Sequence, residues 1–164
     1  MGAGKSAVAA ALGERMGASV ADLDAMIEAA EGCTVAELFS RAGEPAFRER
    51  ELQVLEQSIH AQVGVIACGG GVVLDERCRA LLVSACRVVW LQVSPAEAAR
   101  RIGTGAAAAA RPLLAGGEPL ARLEELLRVR GPVYETIANV HVATDGRDTA
   151  AIAEDVMAQV RSLA

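Results

Sequence analysis

Short apolar runs alternate along this chain with stretches of helical periodicity. The apolar runs are residues 18–22, 63–68, 87–93 and 140–144. RVVWLQV at 87–93 is the strongest, being β-branched and aromatic. VGVIAC at 63–68 closes on three glycines. The runs are continuous rather than alternating in apolar character, as expected of buried parallel strands. Helices are predicted between them, at 5–16, 34–42, 45–60, 94–101, 120–129 and 149–163. Thr34 with Glu37, and Ser94 with Glu97, have the spacing of capping boxes. Gly43 follows the first of these helices as a stop. Pro45 sits where a first helical turn tolerates it, ahead of Phe47, Leu52, Leu55 and Ile59 at helical spacing. Strand and helix alternate throughout, which predicts an α/β fold with helices on both faces of a parallel sheet. At 164 residues the chain fits one domain, 1–164.

One stretch breaks the rhythm. Residues 103–117 read GTGAAAAARPLLAGG. Flanking glycines and a structureless length predict a mobile lid, with a plain surface loop as the alternative.

Composition narrows the function classes. The net charge is −5 and the aromatics number four, which argues against a nucleic-acid binder and against an acidic-membrane binder. The longest apolar run is too short to span a membrane, and the first residues lack the order of a signal peptide. Cys33, Cys68, Cys78 and Cys86 form no C-x-x-C pair, and His60 and His141 lie far from them. Buried free thiols in a reducing, cytoplasmic compartment are expected rather than a zinc site. Of the sixteen Lys and Arg residues, Lys5 alone is a lysine.

That lysine stands in Gly2-Ala3-Gly4-Lys5-Ser6, the last part of the phosphate-loop pattern G-x-x-x-x-G-K-[ST]. Backbone N–H groups there, with the helix N-terminus that follows, make an anion site. Lys5 would supply a compact charge to the β- and γ-phosphates, and Ser6 a hydroxyl to Mg²⁺. The pattern's first glycine would fall upstream of Met1, as would the strand that feeds it. Either translation starts upstream of Met1, or the chain is a genuine truncation with impaired stability. Asp22 and Asp24 follow the first strand. One could hold Mg²⁺ through water and the other could receive a hydroxyl proton; an acidic helix N-terminus is the plainer alternative. Gly69-Gly70-Gly71 after a strand lets a ligand approach backbone N–H groups. Arg48, Arg111, Arg130 and Arg147 offer bidentate contacts to carboxylate or phosphate.

Taken together, GAGKS, D-L-D, F-R, GGG, RPLL and RGPVY resemble the shikimate kinases over almost the whole chain. The resemblance implies a three-layer P-loop kinase fold with a five-stranded parallel sheet of order 2-3-1-4-5, strand 1 being absent here, and a lid at about 103–117. It implies transfer of a phosphoryl group from ATP to the 3-hydroxyl of shikimate, a step of aromatic biosynthesis, by a cytoplasmic monomer. By the same likeness Gly2, Ala3, Gly4, Lys5, Ser6 and Ala7 cradle the ATP phosphates. Ser6 and Asp22 hold Mg²⁺, and Asp24 bonds the substrate hydroxyls and acts as base. Arg48 and Arg130 clamp the carboxylate, while Gly69, Gly70 and Gly71 contact the ring and Phe47 packs beside it. Arg111 reaches the phosphates from the lid, and Arg147 lies near the adenine. A gluconate-type kinase shares the loop and fold; the triple glycine and Arg48 favour shikimate. An adenylate-type kinase is disfavoured by the small acceptor region.

Overall fold

A computed structural model describes residues 1–103 and 118–163. The predicted lid, Arg111 included, lies almost wholly outside the described residues. Helix α1 (Lys5–Met16) opens the chain behind Gly4, which holds φ 79° where an L side chain would be strained. Strand β1 (Val20–Asp22) leads directly into α2 (Leu23–Glu31). Asp22 is the last residue of the strand and also the cap of the helix, its carboxylate accepting from the Asp24 and Ala25 N–H groups. A long helix α3 (Val35–His60) follows. Its capping box at Thr34 and Glu37 forms as the sequence predicts. The two helices expected at 34–42 and 45–60 run together, with the break confined to Gly43 at φ 78° and ψ 172°.

Strand β2 (Val65–Ala67) ends at the triple glycine, after which a 3₁₀ turn (Val72–Leu74) enters α4 (Glu76–Ala85). Strand β3 (Val89–Gln92), α5 (Pro95–Ile102), α6 (Pro119–Ile137), β4 (Val140–Ala143) and α7 (Thr149–Arg161) complete the order. Helices α2 and α4 have no counterpart among the predicted elements. Helix α6 runs past the predicted end at 129 and through Pro132. The strands are shorter than the apolar runs by one to three residues.

The described strands form two pairs rather than one continuous sheet. Strands β1 and β2 are parallel, with Ala21 opposite Ile66. Strands β3 and β4 are parallel, with Trp90 opposite His141. The first pair shares a core with α2, α3 and α4, centred on Leu23, Ile27, Phe47, Leu55 and Cys78. Leu23 and Leu55 are fully buried there, each contributing about 1.5–3 kcal/mol relative to exposure. A second core joins α1, β4 and α7 through Val8, Leu12, Val142 and Ile152. A third, smaller one joins α5 to α6.

All four cysteines are free. Burial pushes the Cys68 thiol up to about 12 and the Cys78 thiol up to about 11, so both stay protonated and unreactive at neutral pH. No described helix is long and apolar enough to cross a membrane, and no cluster of metal-type ligands occurs among the described residues.

Candidate active site

The C-terminal ends of β1 and β2 bring most of the predicted residues together. Ser6, in the first turn of α1, donates its hydroxyl to the Asp22 carboxylate at 2.5 Å. Two hard oxygen donors therefore sit side by side at the mouth of the phosphate loop, a donor set that suits Mg²⁺. The other carboxylate oxygen of Asp22 caps α2, as the plainer reading of this residue expects. Gly2 and Gly4 have φ of 71° and 79°, so the loop turns twice through the left-handed region before the helix begins. The Val8 N–H closes the first helical bond on the Gly4 carbonyl. The N–H groups that precede it are the orphan donors of a helix start, positioned for an anion.

Asp24 lies in the first turn of α2, half-buried. Burial raises its carboxyl above the ordinary 3.8, with the Asp22 and Glu28 charges adding to the rise and Lys5 and Arg48 opposing it. A carboxylate whose proton affinity is raised in this way is a better base for a hydroxyl than an exposed one.

The triple glycine is where side chains of α2, α3 and α6 converge, for a steric reason. A Cβ on Gly69 would come within 2.8 Å of Glu51 Oε1 and 3.4 Å of Asp24 Oδ1. One on Gly70 would meet the Tyr134 hydroxyl at 3.0 Å, with Arg130 Nη1 at 3.7 Å. One on Gly71 would overlap the Arg48 guanidinium, 2.6 Å from Nη1 and 2.7 Å from Cζ. The three glycines thus let α2, α3 and α6 each bring a charged side chain onto the same few ångströms of backbone. Arg48 is held by Glu51 at 2.6 Å and by Glu44 at 2.8 Å. These carboxylates raise its pKa although burial alone would lower it. Arg130 is 6% exposed, with its Nε unpartnered.

Phe47 is 4% exposed and packs on Phe39, the two rings tilted by 39° with centroids 4.7 Å apart. Its ring centroid is 5.2 Å from the Arg48 guanidinium carbon, a cation–π contact. Arg147 is engaged by Asp155 at 2.8 Å and by the Ala143 and Ala151 carbonyls, at the end of β4 away from the glycine cluster. Ala7 is exposed on α1.

Two residues escape the sequence reading. Glu51 is 0% exposed, its Oε1 lacks a hydrogen-bond partner, and burial raises its carboxyl against the pull of Arg48. Its signal was the i,i+3 spacing to Arg48 on one helix face. Tyr134 donates its hydroxyl to the Gly70 carbonyl at 2.5 Å and packs on Trp90. It stood inside RGPVY, four residues after Arg130, on the same face of α6.

Comparison with known proteins gives the same family throughout. The family model described as Shikimate kinase matches residues 1–161. A shikimate kinase of Rhodococcus jostii is 39% identical over 97% of this chain and 92% of its own length. One of Thermobifida fusca is 46% identical over 87% of this chain and 80% of its own. Among solved structures, shikimate kinase from Acinetobacter baumannii in complex with shikimate superposes with a TM-score of 0.93 at 31% identity, covering 99% of this chain and 89% of that one.

Proposed function

The chain belongs to the shikimate kinase family and has its activity, and from that premise we propose that the transfer runs from ATP to the 3-hydroxyl of shikimate at the glycine cluster. The observation that carries the site assignment is the convergence of Asp24, Arg48 and Arg130 on Gly69-Gly70-Gly71. A small anion with several hydroxyls needs cations at one end and a carboxylate at the other. Arg48 and Arg130 supply the cations, and Asp24 the carboxylate.

In this reading the two arginines fix the substrate carboxylate, and the backbone at Gly69–71 contacts the ring. Phe47 supports Arg48 from below. Asp24 takes the proton of the 3-hydroxyl as its oxygen bonds the γ-phosphorus, and ADP leaves. Lys5 and the N–H groups from Gly2 to Ala7 neutralise and hold the phosphates. Ser6 and Asp22 would hold Mg²⁺, which supplies charge neutralisation on the phosphate oxygens. Arg111, from the lid, joins the phosphate contacts, and Arg147 edges the nucleotide side. Most of the rate then comes from positioning and charge, as phosphoryl transfer requires.

The two strand pairs correspond to the outer pairs of a 2-3-1-4-5 sheet. A reducing cytoplasm fits the four free thiols. The test is ADP release with shikimate, gluconate or a nucleoside monophosphate as acceptor, with and without chelator. Shikimate-dependent, chelator-sensitive release is expected; release with gluconate alone would overturn the reading.

A further inference from the structure

Arg48 is the cation that the proposed reading gives to the substrate carboxylate, yet its guanidinium is already engaged. It donates from Nε to Glu44 Oε1 at 3.1 Å, from Nη2 to the same oxygen at 2.8 Å, and from Nη1 to Glu51 Oε2 at 2.6 Å. The Nε–Nη2 edge is one of the edges on which a guanidinium receives a carboxylate with two parallel hydrogen bonds. Glu44 holds that edge with one oxygen only. A ligand carboxylate that lies flat against the edge, one oxygen on each nitrogen, makes the stronger pair.

The two carboxylates on Arg48 differ in their freedom. Glu51 is 0% exposed, and a Cβ on Gly69 would come within 2.8 Å of its Oε1. It cannot turn away without opening the packing of α3 against the triple glycine. The Glu44 side chain is 46% exposed. Glu44 follows directly on Gly43, where α3 breaks at φ 78° and ψ 172°, and precedes Pro45. It therefore begins a helical segment one turn ahead of Arg48, and it can change rotamer into solvent without unwinding the helix.

Charge gives a reason for it to move. Arg48 is 13% exposed in its side chain, and two carboxylates face it. Arg130, 6% exposed, also acts on Glu51. Two guanidiniums and two carboxylates balance. A third carboxylate entering this desolvated group would be uncompensated unless one of the first two left.

We propose that Glu44 is a specificity-setting residue of the acceptor end. Its carboxylate occupies the Nε–Nη2 edge of Arg48 in the empty protein and is exchanged for the carboxylate of the ring acid that binds at Gly69–71. Because Glu44 is on the same helix as Arg48, its effective concentration exceeds that of free small anions, and it keeps them off the guanidinium. A ring acid displaces it, because contacts of the hydroxyls to Asp24 and the glycine backbone add to the charge exchange. Glu51 stays in place throughout and holds Arg48 as the partners change. The inference rests on the assignment of Arg48 to the substrate carboxylate made above.

The test measures shikimate binding by calorimetry, without nucleotide, to the parent, Glu44→Gln and Glu44→Ala. Acetate serves as the probe for a carboxylate that lacks the ring. Both variants are expected to bind shikimate about three- to fivefold more tightly, the size of a half-exposed ion pair. Acetate should compete with shikimate at correspondingly lower concentration in the variants. The kcat/KM for shikimate should rise by the same factor through KM, with the ATP KM within twofold. The direction decides, since loss of a contact that only orients Arg48 would weaken binding. Weaker shikimate binding in the variants would show that Glu44 orients Arg48 for the substrate, and would overturn the proposal. Equal binding would show that the ion pair persists in the complex, and would also overturn it. Glu44→Gln keeps the side-chain shape and carries the test if the alanine variant fails to fold. Shikimate binding to none of the three chains would overturn the acceptor assignment and this inference with it, whereas binding without tightening overturns this inference alone.

Discussion

The acceptor end of the site rests on the core of α2, α3 and α4, whereas the phosphate loop rests on the half-buried strands β2 and β3; a cavity between the strand pairs borders both, at Gly69, Gly70 and Arg130 as well as at Lys5. On the α3 side of Gly69–71 the packing is tight: Glu51 is 0% exposed, Phe47 lies against Arg48, and Leu23 and Ile27 back α2. Around Gly2–Ser6 the supporting strands β2 and β3 are mostly half-buried and share a cavity of about 540 Å³. Rigid packing places side chains within a fraction of an ångström, which is what recognition of a small polyhydroxylated acid demands. In the proposed reading the phosphate end works with backbone N–H groups and one lysine, and its precision depends on what holds the loop. Substitutions at the two ends should therefore fail in different ways.

The largest effect is expected at Lys5. Lys5→Ala removes the only lysine charge from the phosphate loop, and kcat/KM should fall by about 10³-fold or more with the circular dichroism spectrum unchanged. Residual activity within tenfold of the parent would take Lys5 out of the phosphate contacts.

Asp24→Asn separates activity from stability. Turnover should fall by about 10²–10⁴-fold. Stability should move the other way. Burial holds the Asp24 carboxyl above 3.8, so its protonated form is favoured in the folded state. That preference stabilises the fold fully below pH 3.8 and is lost as pH rises through the raised folded value. At neutral pH the ionised group opposes folding, and Asn, which carries no charge, relieves this. A higher Tm at pH 7 is expected, with the gain over the parent shrinking toward pH 3. A lower Tm at pH 7 would show that contacts to the carboxylate outweigh its desolvation. The parent's kcat should decline on acidification at a higher pH than an unperturbed aspartate would give.

Gly71→Ala probes the steric argument. The new Cβ meets the Arg48 guanidinium, which Glu51 and Glu44 hold in place. A cost of about 1–3 kcal/mol is expected for overpacking, with a raised shikimate KM and an ATP KM within twofold. Calorimetry and steady-state kinetics check the two parts. Arg130→Ala belongs to the same end and should raise the shikimate KM by about tenfold, the loss of one charge-assisted contact. A larger change in the ATP KM would move Arg130 to the other end of the site.

How much of this was legible in the sequence follows the same division. The four apolar runs, the capping box at Thr34 and the Ser94 cap identify strands and helices because they are local, although Glu97 bonds Arg100 and Arg101 and leaves the Ser94 N–H to Asp145. So is GAGKS, whose chemistry is in its residue types. Helix α2 was hidden because D-L-D reads as a pair of acids, although Asp22 caps the helix it begins. Helix α6 was cut short at 129 because Pro132 reads as a stop. The fold tolerates it there, with the Thr136 hydroxyl bonding the Pro132 carbonyl. The role of Glu51 needs the tertiary approach of Gly69, which no spacing shows. The separation into two strand pairs is likewise a property of pairing, and only the family resemblance pointed to it.

The smallest effect is expected at Arg147, and it tests how far the phosphate end extends. The resemblance places this side chain near the adenine, yet Asp155 and two backbone carbonyls already engage it. Arg147 and Asp155 are each 34% exposed, so solvent screens the pair, and its loss should cost no more than about 1 kcal/mol. If Arg147 leaves this arrangement to meet a nucleotide, Arg147→Ala removes a contact but also spares the cost of breaking the ion pair. The two nearly offset, and the ATP KM should rise by about two- to threefold with kcat unchanged. Asp155→Ala then becomes the sharper probe, because it frees the guanidinium without deleting it. A lower ATP KM in Asp155→Ala would show that the ion pair competes with the nucleotide. An unchanged KM in both variants would confine Arg147 to joining β4 and α7.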